Sequence, residues 1–229
     1  MNISTSTFIN GTYSSVNNQK GLIVFVHGLT SSKDEPILSQ GELYFNSKGY
    51  STFRFNLYDE LGNERKLSNV SLSDHIQDIN DVIDYFLKKG ETNIILIGHS
   101  FGGLSLLYSD LKHVSKLVLW DSSIGGEELL GDVYEDDQGK YIDRGDQYKR
   151  YISDTLYEDF CIDPIDNIQQ LKSLKLPIII IAAEEGLQDP ALLYAESIHQ
   201  KAFIIAGADH IFSDDNHKKE LFDITMKNL

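Results

Sequence analysis

The segment of this chain best suited to covalent chemistry is Gly98-His99-Ser100-Phe101-Gly102-Gly103, a serine with glycine two positions before and two positions after it. It follows an apolar, β-branched run at 93–97 and leads into 104–107, which resumes helical character. A Gly-x-Ser-x-Gly at a strand-to-helix junction is a nucleophile elbow, a turn so tight that its flanking positions must lack a side chain, or nearly so. Ser100 would then sit in strained backbone geometry at a helix N-terminus. There the dipole and the free amides favour developing negative charge. The competing explanation is a glycine-rich turn with an idle serine, and the strand before it and the helix after it favour the elbow.

Two further segments supply what such a serine needs. The run at 22–26 ends in His27-Gly28-Leu29-Thr30. A tetrahedral oxyanion needs one N–H from the residue after the nucleophile and one from another loop at the same sheet edge, and the amides of Phe101 and Leu29 fit those places. Gly28 allows close backbone approach, and His27 reads as a structural histidine that fixes the loop. The last strand-like run ends in Gly207-Ala208-Asp209-His210, which makes His210 the expected base for Ser100. His75, His113, His199 and His217 fall on helix or strand flanks as solvated or structural residues. His99 lies inside the elbow with its side chain directed away from the hydroxyl.

These segments need a scaffold, and the composition bounds it. The chain has 229 residues, 41% hydrophobic and 24% charged, which suits one domain over 1–229 with a buried core and excludes disordered or collagen-like classes. A net charge of −15 with no basic patch argues against nucleic acid and anionic membrane as partners. A single cysteine, Cys161, and an N-terminus without the layout of a signal peptide make the cytoplasm the expected compartment. The longest apolar run, 178–183, is far too short for a membrane span.

Short β-branched runs at 22–26, 51–55, 93–97, 117–120, 178–183 and 203–206 alternate with helical periodicity, the pattern of an α/β fold with helices on both faces of a mostly parallel sheet. The clearest helix is 71–89, with Ile76, Ile79, Val82, Ile83, Phe86 and Leu87 on one stripe, an acidic start, a basic end and Gly90 as stop. One interval breaks the alternation. Residues 121–163 are rich in Gly, Asp, Glu and Tyr, with turn signals at Asp137-Gln138-Gly139 and Arg144-Gly145-Asp146. Eight acids between 127 and 146 (Glu127, Glu128, Asp132, Glu135, Asp136, Asp137, Asp143 and Asp146) face only Lys140 and Arg144. The segment reads as an insertion, either a solvated acidic loop or a lid over a site.

Taken in order, His27-Gly28-Leu29-Thr30, Phe53-Arg54-Phe55-Asn56, the elbow at Ser100, Lys116-Leu117-Val118-Leu119-Trp120 and Gly207-Ala208-Asp209-His210 resemble the α/β-hydrolase superfamily. The resemblance is in particular to small bacterial esterases of the cinnamoyl and feruloyl type. It spans nearly the whole chain and implies an α/β-hydrolase fold, a serine hydrolase mechanism and a lid formed by the insertion at about 122–163. Two departures stand out. Relatives usually carry the histidine-orienting acid in a Gly-x-x-Asp stretch after the penultimate strand, and here Gly186 holds that slot. The replacements are, in order, Asp189, then Glu184 or Glu185, then Asp121 at the end of the sixth strand, as in another hydrolase branch. Asp189-Pro190 also reads as a helix N-cap followed by Pro at N1. The second departure is Leu57-Tyr58-Asp59-Glu60-Leu61-Gly62-Asn63 in place of Gly-His-Gly, which implies a differently shaped or more polar cleft mouth.

The expected function is a serine hydrolase that cleaves a carboxylic ester or similar small acyl substrate through an acyl-enzyme, with no cofactor and no metal. No His-x-x-x-His or clustered Cys and His spacing suggests a metal-dependent hydrolase. Alternatives are an acyl-peptide or thioester hydrolase with the same triad, or a catalytically decayed binder. If the acidic insertion covers the cleft, anionic acyl groups should be poorer substrates than neutral ones. The natural ester and the oligomeric state are not encoded legibly.

Overall fold

The computed structural model describes residues 2–4, 8–58, 65–126, 133–146 and 148–229. Strands β1 (Asn2–Ser4), β2 (Phe8–Ser14), β3 (Leu22–Val26), β4 (Ser51–Phe55), β5 (Ile94–His99), β6 (Val114–Trp120), β10 (Ile178–Glu185) and β11 (Phe203–Asp209) make one sheet, in the order β1-β2-β4-β3-β5-β6-β10-β11. From β4 to β11 all neighbours are parallel. Only β1 with β2 and β2 with β4 are antiparallel. This is the mostly parallel α/β sheet that the runs imply and the α/β-hydrolase architecture that the resemblance implies, and the six runs lie in strands of this sheet except for Asn93, which precedes β5.

Several of the runs are continuously apolar because alternate residues serve two cores. Val24, Leu96, Leu119 and Ile180 point to one face, together with Ile79, Val82 and Phe86 of α2 (Leu72–Lys88), Leu104 and Leu107 of α3 (Phe101–Leu107), and Tyr194 of α6 (Gln188–Ser197). Ile23, Ile97, Val118 and Ile181 point to the other, against Ile37 and Phe45 of α1 (Pro36–Ser47) and Leu221 and Phe222 of α7 (Asp215–Asn228). Helix α2 opens with a capping box, in which the Ser71 side chain accepts from the Asp74 amide while the Asp74 carboxylate accepts from the Ser71 amide. It ends at Gly90, whose φ is +91°.

The segment between β6 and β10 is more ordered than a solvated loop. It contains a three-stranded antiparallel sheet of β7 (Val133–Asp136), β8 (Gly139–Asp143) and β9 (Lys149–Tyr151), followed by α4 (Asp154–Phe160) and α5 (Pro164–Ser173). Gly139, at φ +123°, closes the first hairpin, and the Asp136 carboxylate accepts from the Gln138 amide inside the turn. Much of the acidic charge is matched within the segment: Lys149 pairs with Asp136 at 2.5 Å, Lys140 with Asp154 at 2.5 Å, and Arg150 with Asp146. Glu127, Glu128 and Asp132 of the acidic run, and Asp59 to Asn63 of the cleft loop, lie outside the described residues. Among the described residues no helix is long and apolar enough to cross a membrane.

Candidate active site

The β5–α3 junction is built as the glycine spacing requires. Ser100 sits between strand and helix at φ +54° and ψ −123°, a strained conformation for a residue with a side chain. A Cβ on Gly98 would lie 2.6 Å from the Gly103 backbone, and one on Gly102 would lie 2.5 Å from the His27 carbonyl oxygen. Only hydrogen fits at either place. The bend lifts the Ser100 hydroxyl out of the sheet edge, and the Phe101 amide, first in α3, has no intrahelical acceptor.

The loop after β3 abuts this hydroxyl. A Cβ on Gly28 would lie 3.0 Å from the Ser100 Cβ, so the glycine lets the strand of backbone carrying Leu29 pass directly beside the elbow. His27 fixes that backbone. Its Nε2 accepts from the Leu57 amide at 3.0 Å, so its Nδ1 carries the proton donated to the Gly28 carbonyl at 2.8 Å. Burial lowers the His27 pKa, against the smaller opposing effects of that carbonyl and of Glu35, so the neutral form holds the loop.

His210 follows β11 and reaches back to the elbow. Its Nε2 lies 3.0 Å from the Ser100 Oγ, and its Nδ1 lies 2.6 Å from the Asp121 Oδ2. The acid in contact with this imidazole is therefore Asp121, the last of the sequence alternatives. No hydrogen bond joins His210 to Asp189, Glu184 or Glu185. Glu184 instead accepts from the Gly207 amide at 2.8 Å. Asp189 and Pro190 lie inside the first turn of α6, whose N-cap is Leu187, so Asp189 is not the cap either. The reason is topological. β6 and β10 are adjacent and in register, Trp120 beside Ile181, so the end of β6 delivers a carboxylate under the end of β10 toward β11.

Asp121 is wholly buried and fully engaged. Its Oδ1 accepts from the amides of Ala183 at 2.9 Å and Leu187 at 3.0 Å, and its own amide donates to the Ile181 carbonyl at 2.7 Å. A carboxylate bonded in this way presents an acceptor to His210. The proton then sits on Nδ1, and Nε2 is left to accept from the serine hydroxyl.

Sequence reasoning did not find the pair behind the imidazole. His99 does turn away from the Ser100 hydroxyl, and its Nε2 donates to the His210 carbonyl at 2.9 Å. Its Nδ1 stands 3.3 Å from the Glu35 Oε1, within ion-pair range but without hydrogen-bond alignment. Burial pulls the His99 pKa down, and the Glu35 charge with the His210 carbonyl more than offsets it, for a net rise. Burial likewise raises the Glu35 pKa, and His99 with Ser31 reverses that to a net fall. The only signal in the sequence was a histidine next to the nucleophile.

A cavity of about 390 Å³ joins these groups. Ser100, His210, Leu29 and Thr30 line it from the main sheet, and Leu187 and Ile211 form part of the wall. Arg144, Arg150 and Phe160 close it from the segment between β6 and β10. Phe160 stacks on Phe101, with centroids 5.1 Å apart, and so ties that segment to the elbow. The volume suits a small organic ligand.

Fold and site together define a class. A family model described as the Alpha/beta hydrolase family matches residues 23–224, and the chain belongs to that family. Among solved structures, it is similar to Est1E from Butyrivibrio proteoclasticus, determined with ferulic acid bound. The two share 20% identity and a TM-score of 0.82 over 99% of this chain and 96% of that one. It is also similar to a monoacylglycerol lipase from Paleococcus ferrophilus, with 15% identity and a TM-score of 0.72 over 96% of this chain and 97% of that one. A search of curated protein sequences returned no match.

Proposed function

We propose that the protein is a serine hydrolase of carboxylic esters, formed as a single catalytic domain with the segment at 122–163 serving as its lid. The observation that carries this reading is the relay itself: Ser100 Oγ 3.0 Å from His210 Nε2, and His210 Nδ1 2.6 Å from a buried carboxylate. The names of the similar structures, Est1E with ferulic acid bound and a monoacylglycerol lipase, agree with it.

In this mechanism Ser100 Oγ attacks the ester carbonyl as His210 Nε2 removes its proton. The carbonyl oxygen becomes an oxyanion beside the free amides of Leu29 and Phe101. His210 returns the proton to the departing alcohol oxygen, the C–O bond breaks, and an acyl group remains on Ser100. Water then attacks that acyl carbonyl, giving its proton to His210. Collapse of the second tetrahedral species returns the proton to Ser100 Oγ and releases the acid. Asp121 holds the imidazole in orientation throughout and supports its positive charge.

Ser100→Ala tests the proposal with p-nitrophenyl butyrate as substrate. Turnover should fall to background while the circular dichroism spectrum and thermal midpoint stay close to wild type. Undiminished hydrolysis in that variant would contradict it.

A further inference from the structure

The segment over the cavity is acidic in composition, yet the charges it turns inward are of the other sign. Among the described residues, Arg144 and Arg150 line the cavity, and no carboxylate of the segment does. Every other cation of the two hairpins has a partner: Lys140 has Asp154, Lys149 has Asp136, and Arg150 has Asp146. Arg144 has none. Its one side-chain bond is from Nε to the Thr30 Oγ1 at 3.3 Å, which leaves both Nη groups unused. In a chain with 35 acids and 20 bases, carboxylates are not in short supply.

The placement is as informative as the missing partner. Thr30 follows Leu29, so the guanidinium is anchored one residue beyond the amide proposed to receive the oxyanion. Arg144 is exposed at the cavity mouth, and partial desolvation together with the Arg150 charge beside it lowers its pKa, a cost to its charged form. Asp146 instead holds the Arg150 pKa up, so Arg144 is the cation of the two left without a counter-charge among the described residues. A bound anion would offset that cost. The remaining negative group in the wall, Glu35, is already engaged by Ser31 and His99. The free edge of a planar guanidinium matches a carboxylate in bidentate geometry.

We infer that Arg144, with Arg150 beside it, forms an anion subsite, and that the natural substrate is an ester carrying a carboxylate-class group away from the scissile bond. This rests on the serine hydrolase reading of the same cavity, and it reverses the preference for neutral esters expected from composition. Net charge sums over a segment regardless of direction, whereas recognition depends on which side chains face inward.

The test compares mono-p-nitrophenyl esters of adipate, pimelate and suberate with neutral p-nitrophenyl esters of the same chain length. For at least one length, Arg144→Ala should lower the ratio of anionic to neutral kcat/KM by about tenfold or more, the scale of one lost charge-assisted contact. Arg144→Lys should retain part of the ratio, because it keeps the charge and loses the fork. A ratio that moves less than about twofold at every length overturns the inference, since double contacts of this kind cannot be so weak. Monomethyl adipate binding to Ser100→Ala, followed by calorimetry with and without Arg144→Ala, needs no turnover. Binding weakened by the arginine substitution supports the subsite, and absent or arginine-insensitive binding overturns it. Failure of the wild type on every ester of both series would instead count against the serine hydrolase reading, leaving calorimetry to decide the subsite.

Discussion

The carboxylate of Asp121 occupies the space that a Cβ on Gly186 would fill: such an atom would lie 3.1 Å from the Asp121 Cγ and closer still to its Oδ2. The two residues come from neighbouring strands, one directly after β6 and the other directly after β10. The absent side chain at the position where relatives carry the acid and the present carboxylate one strand away are thus one arrangement. Gly186→Ala should push the carboxylate off His210 and lower kcat for a p-nitrophenyl ester by about tenfold or more, on the rule that a small misplacement at a catalytic group is costly. KM should change little. An unchanged kcat would show that Asp121 has room to spare.

Asp121→Asn separates the acids. The Asn oxygen can keep the bonds from Ala183 and Leu187, which turns its NH₂ toward His210 Nδ1 and forces the imidazole into the tautomer that cannot accept from Ser100. The expected loss in kcat is on the order of 10⁴-fold, as for the same change in other serine triads. Asp189→Ala should cost far less. Equal losses in steady-state kinetics for the two variants would refute the assignment of Asp121.

His75 predicts a stability effect with a definite sign. Both of its ring nitrogens are buried without a partner among the described residues, beside Tyr58 and Phe101, and burial pushes its pKa down from 6.5 to about 3. Above pH 6.5 neither the folded nor the unfolded state protonates it. Below that pH the unfolded chain binds a proton that the folded protein refuses, so stability falls by about 1.4 kcal/mol per pH unit until the folded value is reached. His75→Phe should remove this term. Urea unfolding at pH 7 and pH 5 should show the stability gap in favour of the variant widening at the lower pH. A gap independent of pH contradicts the account.

The Glu35 and His99 pair has the opposite signature. His99 is raised, so its contribution is complete below 6.5 and is lost as pH rises through its folded value. Glu35 is lowered, so its contribution is complete above 4.5 and is lost as pH falls through its folded value. The advantage of wild type over Glu35→Gln should therefore be greatest between those two values and shrink on either side. A flat difference across a series of denaturation curves would mean that the pair is not charged.

Much of this was legible in the sequence, for identifiable reasons. A strand buried on both faces reads as a continuous apolar run, which is why 22–26 matches β3 to the residue, and 51–55 matches β4 to the residue although Ser51, Thr52 and Arg54 are polar. The elbow was visible because sterics allow only glycine at Gly98 and Gly102. The acid was not, because Asp121, Glu184, Glu185 and Asp189 all leave the same edge of the sheet, and choosing among them requires distances across three strands. Gly186 was the signal, read as a loss rather than as room made for another residue. The hairpins at 133–151 escaped notice because Tyr134, Glu135, Lys140 and Lys149 show no apolar alternation. Their sheet is held by stacked tyrosines and ion pairs, with Tyr134 on Tyr141 at 5.6 Å and Lys149 on Asp136 at 2.5 Å.

The central claim is that the Ser100 hydroxyl is a nucleophile activated by His210, and peptide mass spectrometry after exposure to a fluorophosphonate tests it most directly. The account predicts one stoichiometric adduct on the peptide containing Ser100, slowed severely by His210→Ala and absent in Ser100→Ala. Ester hydrolysis by the wild type with no adduct at Ser100, or with the adduct on another residue, would contradict it.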